Sequence, residues 1–209
     1  METLLHFLYV EDNPQDAELV RATLEADNLP CTITRVETPD AFITALTSGS
    51  FHLVLSDFSL PHFNGLDVLR LLRERHFDIP FIVVSGTIGE QLAVELLKNG
   101  ATDYILKDQL AKLSPAIKRA LVEYDEHTKL KQATEDLKQR EALLQEAQRI
   151  AHIGNWVWNP GTNVIILSAE LYNIFGLLPE QENLTYEAFS SRIFPADLSY
   201  VQSSINTST

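Results

Sequence analysis

The chain has 209 residues, enough for one large domain or two small ones. It is 45% hydrophobic and 22% charged, as globular chains are, and its net charge of −13 argues against nucleic acid or an anionic membrane as a direct partner. No run approaches the ~18 apolar residues of a membrane span. The single cysteine excludes an internal disulfide, and METLLHFLYVEDN has no basic start or cleavage site, which points to the cytoplasm.

Taken in chain order, apolar runs alternate with amphipathic stretches, and no repeat recurs at a fixed period. LLHFLYV (4–10) predicts a first strand, and Asn13-Pro14 opens a helix that runs to about residue 27. CTITRV (31–36) is a second strand, in which Cys31 reads as a small buried hydrophobe. PDAFITALTSG (39–49) is a helix ended by Gly49. FHLVLSD (51–57) is the third strand, followed by a loop to Asn64 and a helix over 65–76. PFIVVSG (80–86) is the fourth strand, and GEQLAVELLKNG (89–100) is a helix stopped by Gly100. TDYIL (102–106) is a short fifth strand, after which Leu110, Leu113, Ile117, Leu121 and Tyr124 repeat at helical spacing. This alternation predicts an α/β domain: a flavodoxin-like, doubly wound, five-stranded parallel sheet of order 2-1-3-4-5.

Residues 123–150 carry dense charge and neither Gly nor Pro, and Leu130, Leu137 and Leu144 fall seven apart. That spacing predicts a helical linker with a short coiled-coil dimer seam, interrupted at Arg140, with a solvated connector helix as the alternative. Beyond Ile150, GNWVWN and VIILS flank the turn Asn159-Pro160-Gly161-Thr162-Asn163, placing Trp156 and Trp158 on one strand face. Three helical stretches follow: AELYNIFGLL capped by Ser168, TYEAFSSRIF and PADLSYVQSS. Two strands and helices bury little alone, so this α+β segment is expected to be incomplete.

In an open parallel sheet, sites form outside the carboxyl ends of the strands. There the chain places Glu11 and Asp12 after strand one, Asp57 after strand three, Ser85 and Thr87 after strand four, and Lys107 after strand five. Converging carboxylates repel and require a cation; oxygen ligands without His or Cys favour Mg²⁺. An aspartate beside Mg²⁺, an ammonium and a hydroxyl is equipped to accept a phosphoryl group. Each residue alone also fits a turn, a helix cap or a solvated charge. Their co-occurrence on the ends of strands one, three, four and five favours the chemical reading.

YVEDN (9–13), LSDFSLPHFNGLDVLR (55–70), FIVVSG (81–86) and GATDYILKD (100–108) resemble the receiver domain of response regulators in two-component signalling. The resemblance covers 1–124 and implies Asp57 as phosphoacceptor. It further implies Mg²⁺ held by Asp12, Asp57 and the Ser59 backbone carbonyl, with Glu11 acting through water. Ser85 would be the switch hydroxyl, Lys107 the phosphoryl partner and Tyr104 the aromatic that swings inward, while Pro61 and Gly65 shape the loop after the acceptor strand. Where the family has a cis proline after the lysine, this chain has Asp108, and a non-proline cis bond costs roughly 3 kcal/mol, so a trans peptide is expected.

Residues 144–209 resemble the opening half of a PAS sensory domain, with Phe194-Pro195-Ala196-Asp197 where that family often reads His-Pro-Asp-Asp. The expected division is therefore receiver 1–124, linker 125–150 and the N-terminal part of a truncated PAS domain, 151–209. Together these resemblances imply a phosphorelay module fed by a histidine kinase or phosphotransfer protein, dimeric through the linker, or the regulatory start of a histidine kinase. His127 and His152 lack the surroundings of a phosphotransfer histidine. An Asp-nucleophile phosphatase would want a second Asp where Ser59 stands. A flavin site would want Gly, Ser or Thr where Glu11-Asp12-Asn13-Pro14 stands.

Overall fold

The computed structural model describes residues 4–61, 63–86, 90–177 and 184–207. The chain divides into two compact units, Met1–Leu130 and Lys131–Thr209.

In the first unit, β1 (Leu5–Val10), β2 (Cys31–Val36), β3 (Leu53–Asp57), β4 (Phe81–Ser85) and β5 (Asp103–Leu106) form a sheet of order β2-β1-β3-β4-β5, with every neighbouring pair parallel. The helices between them are α1 (Pro14–Ala26), α2 (Pro39–Ser48), α3 (Gly65–Glu74) and α4 (Glu90–Lys98). Both faces of the sheet are covered, so its central strands are continuous apolar runs: Phe7, Leu8, Tyr9 and Val10 are all fully buried. Period two sorts them. Phe7, Tyr9, Leu53, Leu55, Ile82 and Val84 meet Val20 and Leu24 of α1 on one face. Leu8, Val10, Val54 and Val83 meet Phe42, Leu46, Val68, Leu72 and Leu96 of α2, α3 and α4 on the other.

Caps fix where the helices begin, beside the carboxyl edge. Asn13 Oδ1 accepts from the Gln15 N–H with Pro14 in the first turn, Thr38 accepts from Ala41, and Asn64 and Asp67 close a reciprocal capping box. Each such cap contributes about 1 kcal/mol.

A 3₁₀ turn (Lys107–Lys112) follows β5 and leads into α5 (Leu113–Ala151). The Lys107–Asp108 peptide is trans, as expected. The separately expected fifth helix and linker are one continuous helix of 39 residues, because the only proline lies in its first turn and no glycine interrupts it. Leu113, Ala116, Ile117 and Ala120 of α5 are buried against the sheet, while Leu130, Leu137 and Leu144 are 67%, 58% and 59% exposed.

In the second unit, β6 (Trp156–Asn159) and β7 (Val164–Leu167) form the expected antiparallel hairpin. Helix α6 (Ala169–Phe175) is capped by Ser168 and closed by Gly176, whose φ of 64° suits a residue without Cβ. β8 (Leu184–Thr185) adds a third strand to the two expected, and α7 (Tyr186–Ser190) and α8 (Pro195–Thr207) follow. Trp156 and Trp158 lie on one face, their ring centroids 5.2 Å from Phe189 and 4.9 Å from Tyr186. They are half-buried rings packed against this unit's apolar cluster. No described helix is long and apolar enough to cross a membrane.

Candidate functional site

Parallel pairing of β1, β3 and β5 within one sheet brings their carboxyl ends to one edge, where the residues just beyond each strand meet. Glu11 continues β1, its N–H donating to the Val36 carbonyl at 3.0 Å. Its side chain is fully buried: Oε1 accepts from the Asn13 N–H at 3.0 Å, and Oε2 from the Tyr9 hydroxyl at 2.9 Å. Asp57 closes β3, 7% exposed, with Oδ1 accepting from the Ser59 N–H at 3.2 Å. Asp12 is half-buried beside them.

Lys107 follows β5 and reaches back across the edge. Its Nζ donates to Asp57 Oδ2 at 2.9 Å, to Glu11 Oε2 at 3.0 Å and to Asp16 Oδ2 at 2.5 Å. Desolvation works against its charge, but the hydrogen bonds to Asp16, Asp57 and Glu11 prevail and hold the ammonium above lysine's ordinary pKa. Burial pushes the Glu11 carboxyl up; the Asn13 and Lys107 hydrogen bonds oppose that, and the Asp57 charge adds to it. Tyr9 is likewise raised, first by burial and then by the charge and hydrogen bond of Glu11.

Glu11, Asp12 and Asp57 each offer a carboxylate oxygen, and these oxygens lie within 4.8 Å of one another. Two of the three acids are buried, so solvent does little to weaken their repulsion, and Lys107 bonds to Glu11 and Asp57 but not to Asp12. An all-oxygen donor set with surplus negative charge suits a hard divalent cation such as Mg²⁺.

Of the expected site residues, the structure brings Glu11, Asp12, Asp57 and Lys107 together. Ser59 abuts them through its backbone N–H. Ser85 ends the neighbouring strand, buried and in register with Leu106. Tyr104 is half-buried on β5, packed against the apolar cluster formed with α2, α3 and α4. Thr87 lies outside the described residues. Three participants were not expected: Asp16, Tyr9 and Arg35. Arg35 Nη1 donates to the main-chain carbonyls of Glu11 at 2.9 Å and Asp12 at 3.3 Å, tying down the loop that carries both acids. No residue type marks them for the site: Asp16 is placed by the phase of α1, and Tyr9 by standing two strand residues before Glu11.

Fold and site together define a class: an α/β domain that concentrates acids and one lysine outside the carboxyl edge of a doubly wound sheet. The model of the response regulator receiver domain family matches residues 7–118, more than half of the chain, and the chain belongs to that family. Receiver domains bind Mg²⁺ in an acidic pocket and take phosphate from histidine kinases.

Among curated proteins, the chain is similar to the transcriptional regulatory protein FixJ of Bradyrhizobium diazoefficiens (26% identical over 150 residues, 71% of this chain and 72% of FixJ). It is also similar to the uncharacterized transcriptional regulatory protein YkoG of Bacillus subtilis (33%, 56% of this chain and 50% of YkoG) and to the cell cycle transcriptional regulator CtrA of Caulobacter vibrioides (26%, 56% of this chain and 52% of CtrA). It thus spans about half the length of the latter two. Among solved structures, a CheY-like receiver domain protein from Methanospirillum hungatei JF-1 aligns with TM-score 0.51 at 25% identity, covering 60% of this chain and 99% of that one. The receiver domain of an HD domain-containing protein from Pseudomonas fluorescens Pf-5 shares the fold, with TM-score 0.53 at 20% identity, covering 59% and 99%.

Proposed function

We propose that residues 1–124 accept a phosphoryl group on Asp57 from an upstream histidine kinase or phosphotransfer protein. The observation that carries this reading is the Lys107 ammonium 2.9 Å from Asp57 Oδ2 at the edge of a buried acid trio. An Asp57 carboxylate oxygen bonds to phosphorus as the phosphorus–nitrogen bond of phosphohistidine breaks and the imidazole leaves. Lys107 meets the charge on the phosphoryl oxygens, and the Ser85 hydroxyl hydrogen-bonds one of them. Asp12, Asp57 and the Ser59 carbonyl would hold Mg²⁺, with Glu11 acting through water, and the ion would further neutralise that charge. Tyr104 follows Ser85 inward, and the altered face around β5 is the signal.

In this reading α5 carries the signal through residues 125–150 into 151–209, the first part of a PAS domain, within a cytoplasmic protein whose output is a histidine kinase or another protein partner rather than direct DNA binding. The exposed leucines 130, 137 and 144 form a homodimer seam. Incubation with acetyl phosphate and Mg²⁺ should label the parent chain and leave Asp57→Asn unlabelled. Retained labelling of that variant ends the reading. Sedimentation of Leu137→Lys should give a monomer where the parent gives a dimer; a monomeric parent removes the seam.

A further inference from the structure

Lys107 is held from three sides. An ammonium has three N–H bonds, and Lys107 gives one each to Glu11, Asp57 and Asp16. Glu11 and Asp57 belong to the trio that can hold a cation, and Asp57 changes its own chemistry when it takes a phosphoryl group. Asp16 does neither. It stands in the first turn of α1, a 13-residue helix whose start is fixed by the Asn13 cap and Pro14. Its bond to Lys107 is the shortest of the three. Of the three anchors, Asp16 alone is neither a member of the acid trio nor the acceptor.

We propose that Asp16 is a positioning residue for phosphoryl transfer at Asp57. It fixes the Lys107 ammonium against the acceptor, so that the N–H first given to the Asp57 carboxylate already points where the phosphoryl oxygens arrive. This inference rests on the phosphoacceptor reading above. A lysine stem has four rotatable bonds, and an unanchored one must be ordered during the reaction, at a cost in rate. The opposing effect is that Asp16 draws positive charge away from the phosphoryl group. Positioning should win, because all three hydrogen bonds are made at once and Asp16 takes no donor from Asp57. Its side chain is also 32% exposed, so solvent weakens its long-range repulsion of the phosphoryl group more than its direct contact with Lys107.

The experiment uses the full 209-residue chain, acetyl phosphate and varied Mg²⁺, comparing the parent with Asp16→Ala and Asp16→Asn. In the step measured, an Asp57 oxygen–phosphorus bond forms as the bond to the acetyl oxygen breaks, and acetate leaves with the electron pair. Asp16→Ala should lower the labelling rate at saturating Mg²⁺ about tenfold while changing the half-saturating Mg²⁺ concentration less than about twofold. Asp16→Asn keeps an acceptor for Lys107 and should recover most of that loss. A rate in Asp16→Ala equal to or above the parent's overturns the proposal, and so does an equal loss in both variants accompanied by a shift in Mg²⁺ dependence. A parent that takes no label overturns the phosphoacceptor reading itself, whereas a labelled parent with an unaffected Asp16→Ala overturns only the role of Asp16.

Discussion

Replacing Asp12 with Asn should stabilise the metal-free protein and remove its response to Mg²⁺. The acid oxygens of Glu11, Asp12 and Asp57 lie within 4.8 Å of one another. At that separation two unit charges repel by about 3 kcal/mol at an effective dielectric of about 20, and by about 1 kcal/mol in bulk water. Asp12 is half-buried and faces two buried acids, so its environment lies between these limits. Lys107 offsets Glu11 and Asp57 by direct contact but donates nothing to Asp12. The variant should therefore gain about 1–2 kcal/mol in chelator, a shift of about 0.5–1 M in the urea midpoint. Adding Mg²⁺ at about one hundred times its dissociation constant should stabilise the parent by about 2.7 kcal/mol and the variant far less, inverting their order. Urea unfolding followed by far-ultraviolet circular dichroism, with EDTA and then with MgCl₂, measures both effects. A variant no more stable than the parent in EDTA would refute the repulsion argument. An order unchanged by Mg²⁺ would remove Asp12 from the cation site.

Two further outcomes rest on local contacts. A Cβ on Gly154 would sit 2.4 Å from Leu171 Cδ1 and 2.7 Å from its Cβ, so Gly154→Ala should destabilise the second unit by about 1–3 kcal/mol. Both tryptophans lie in that unit, so their fluorescence reports its unfolding specifically; an unchanged transition contradicts the close approach. In metal-free buffer, Lys107→Met leaves buried acids without their ammonium and should cost about 3 kcal/mol at neutral pH. Because the folded state holds the Lys107 pKa above its ordinary 10.5, the lysine's contribution is complete below 10.5 and fades as pH rises through the higher folded value. Stability curves of parent and variant that converge between neutral pH and 10.5 would contradict the three-way pairing.

Much of the fold was legible because its signals are local. Strands buried on both faces need apolar runs such as FLYV and the LVL that opens β3, and Asn13-Pro14, Gly49 and Gly100 punctuate the helices between them. Such alternation admits few chain paths, so the strand order, and with it the meeting of Glu11, Asp12, Asp57 and Lys107 at one edge, could be inferred from residue types alone. The two-residue β8 could not, since it is too short to show a period and exists only because β7 offers it a partner. Nor could the ties of Asp16, Tyr9 and Arg35 to the site. Their side chains bear no chemical mark of the role, and register and helix phase alone bring Tyr9 to the Glu11 carboxylate, Arg35 to the Glu11 and Asp12 carbonyls, and Asp16 to the ammonium of Lys107. The sequence by itself determined which groups could act and on which strand ends they stand. Only the tertiary structure decided which carboxylates share the one lysine, because that depends on distances of a few ångströms between residues 50 to 96 positions apart.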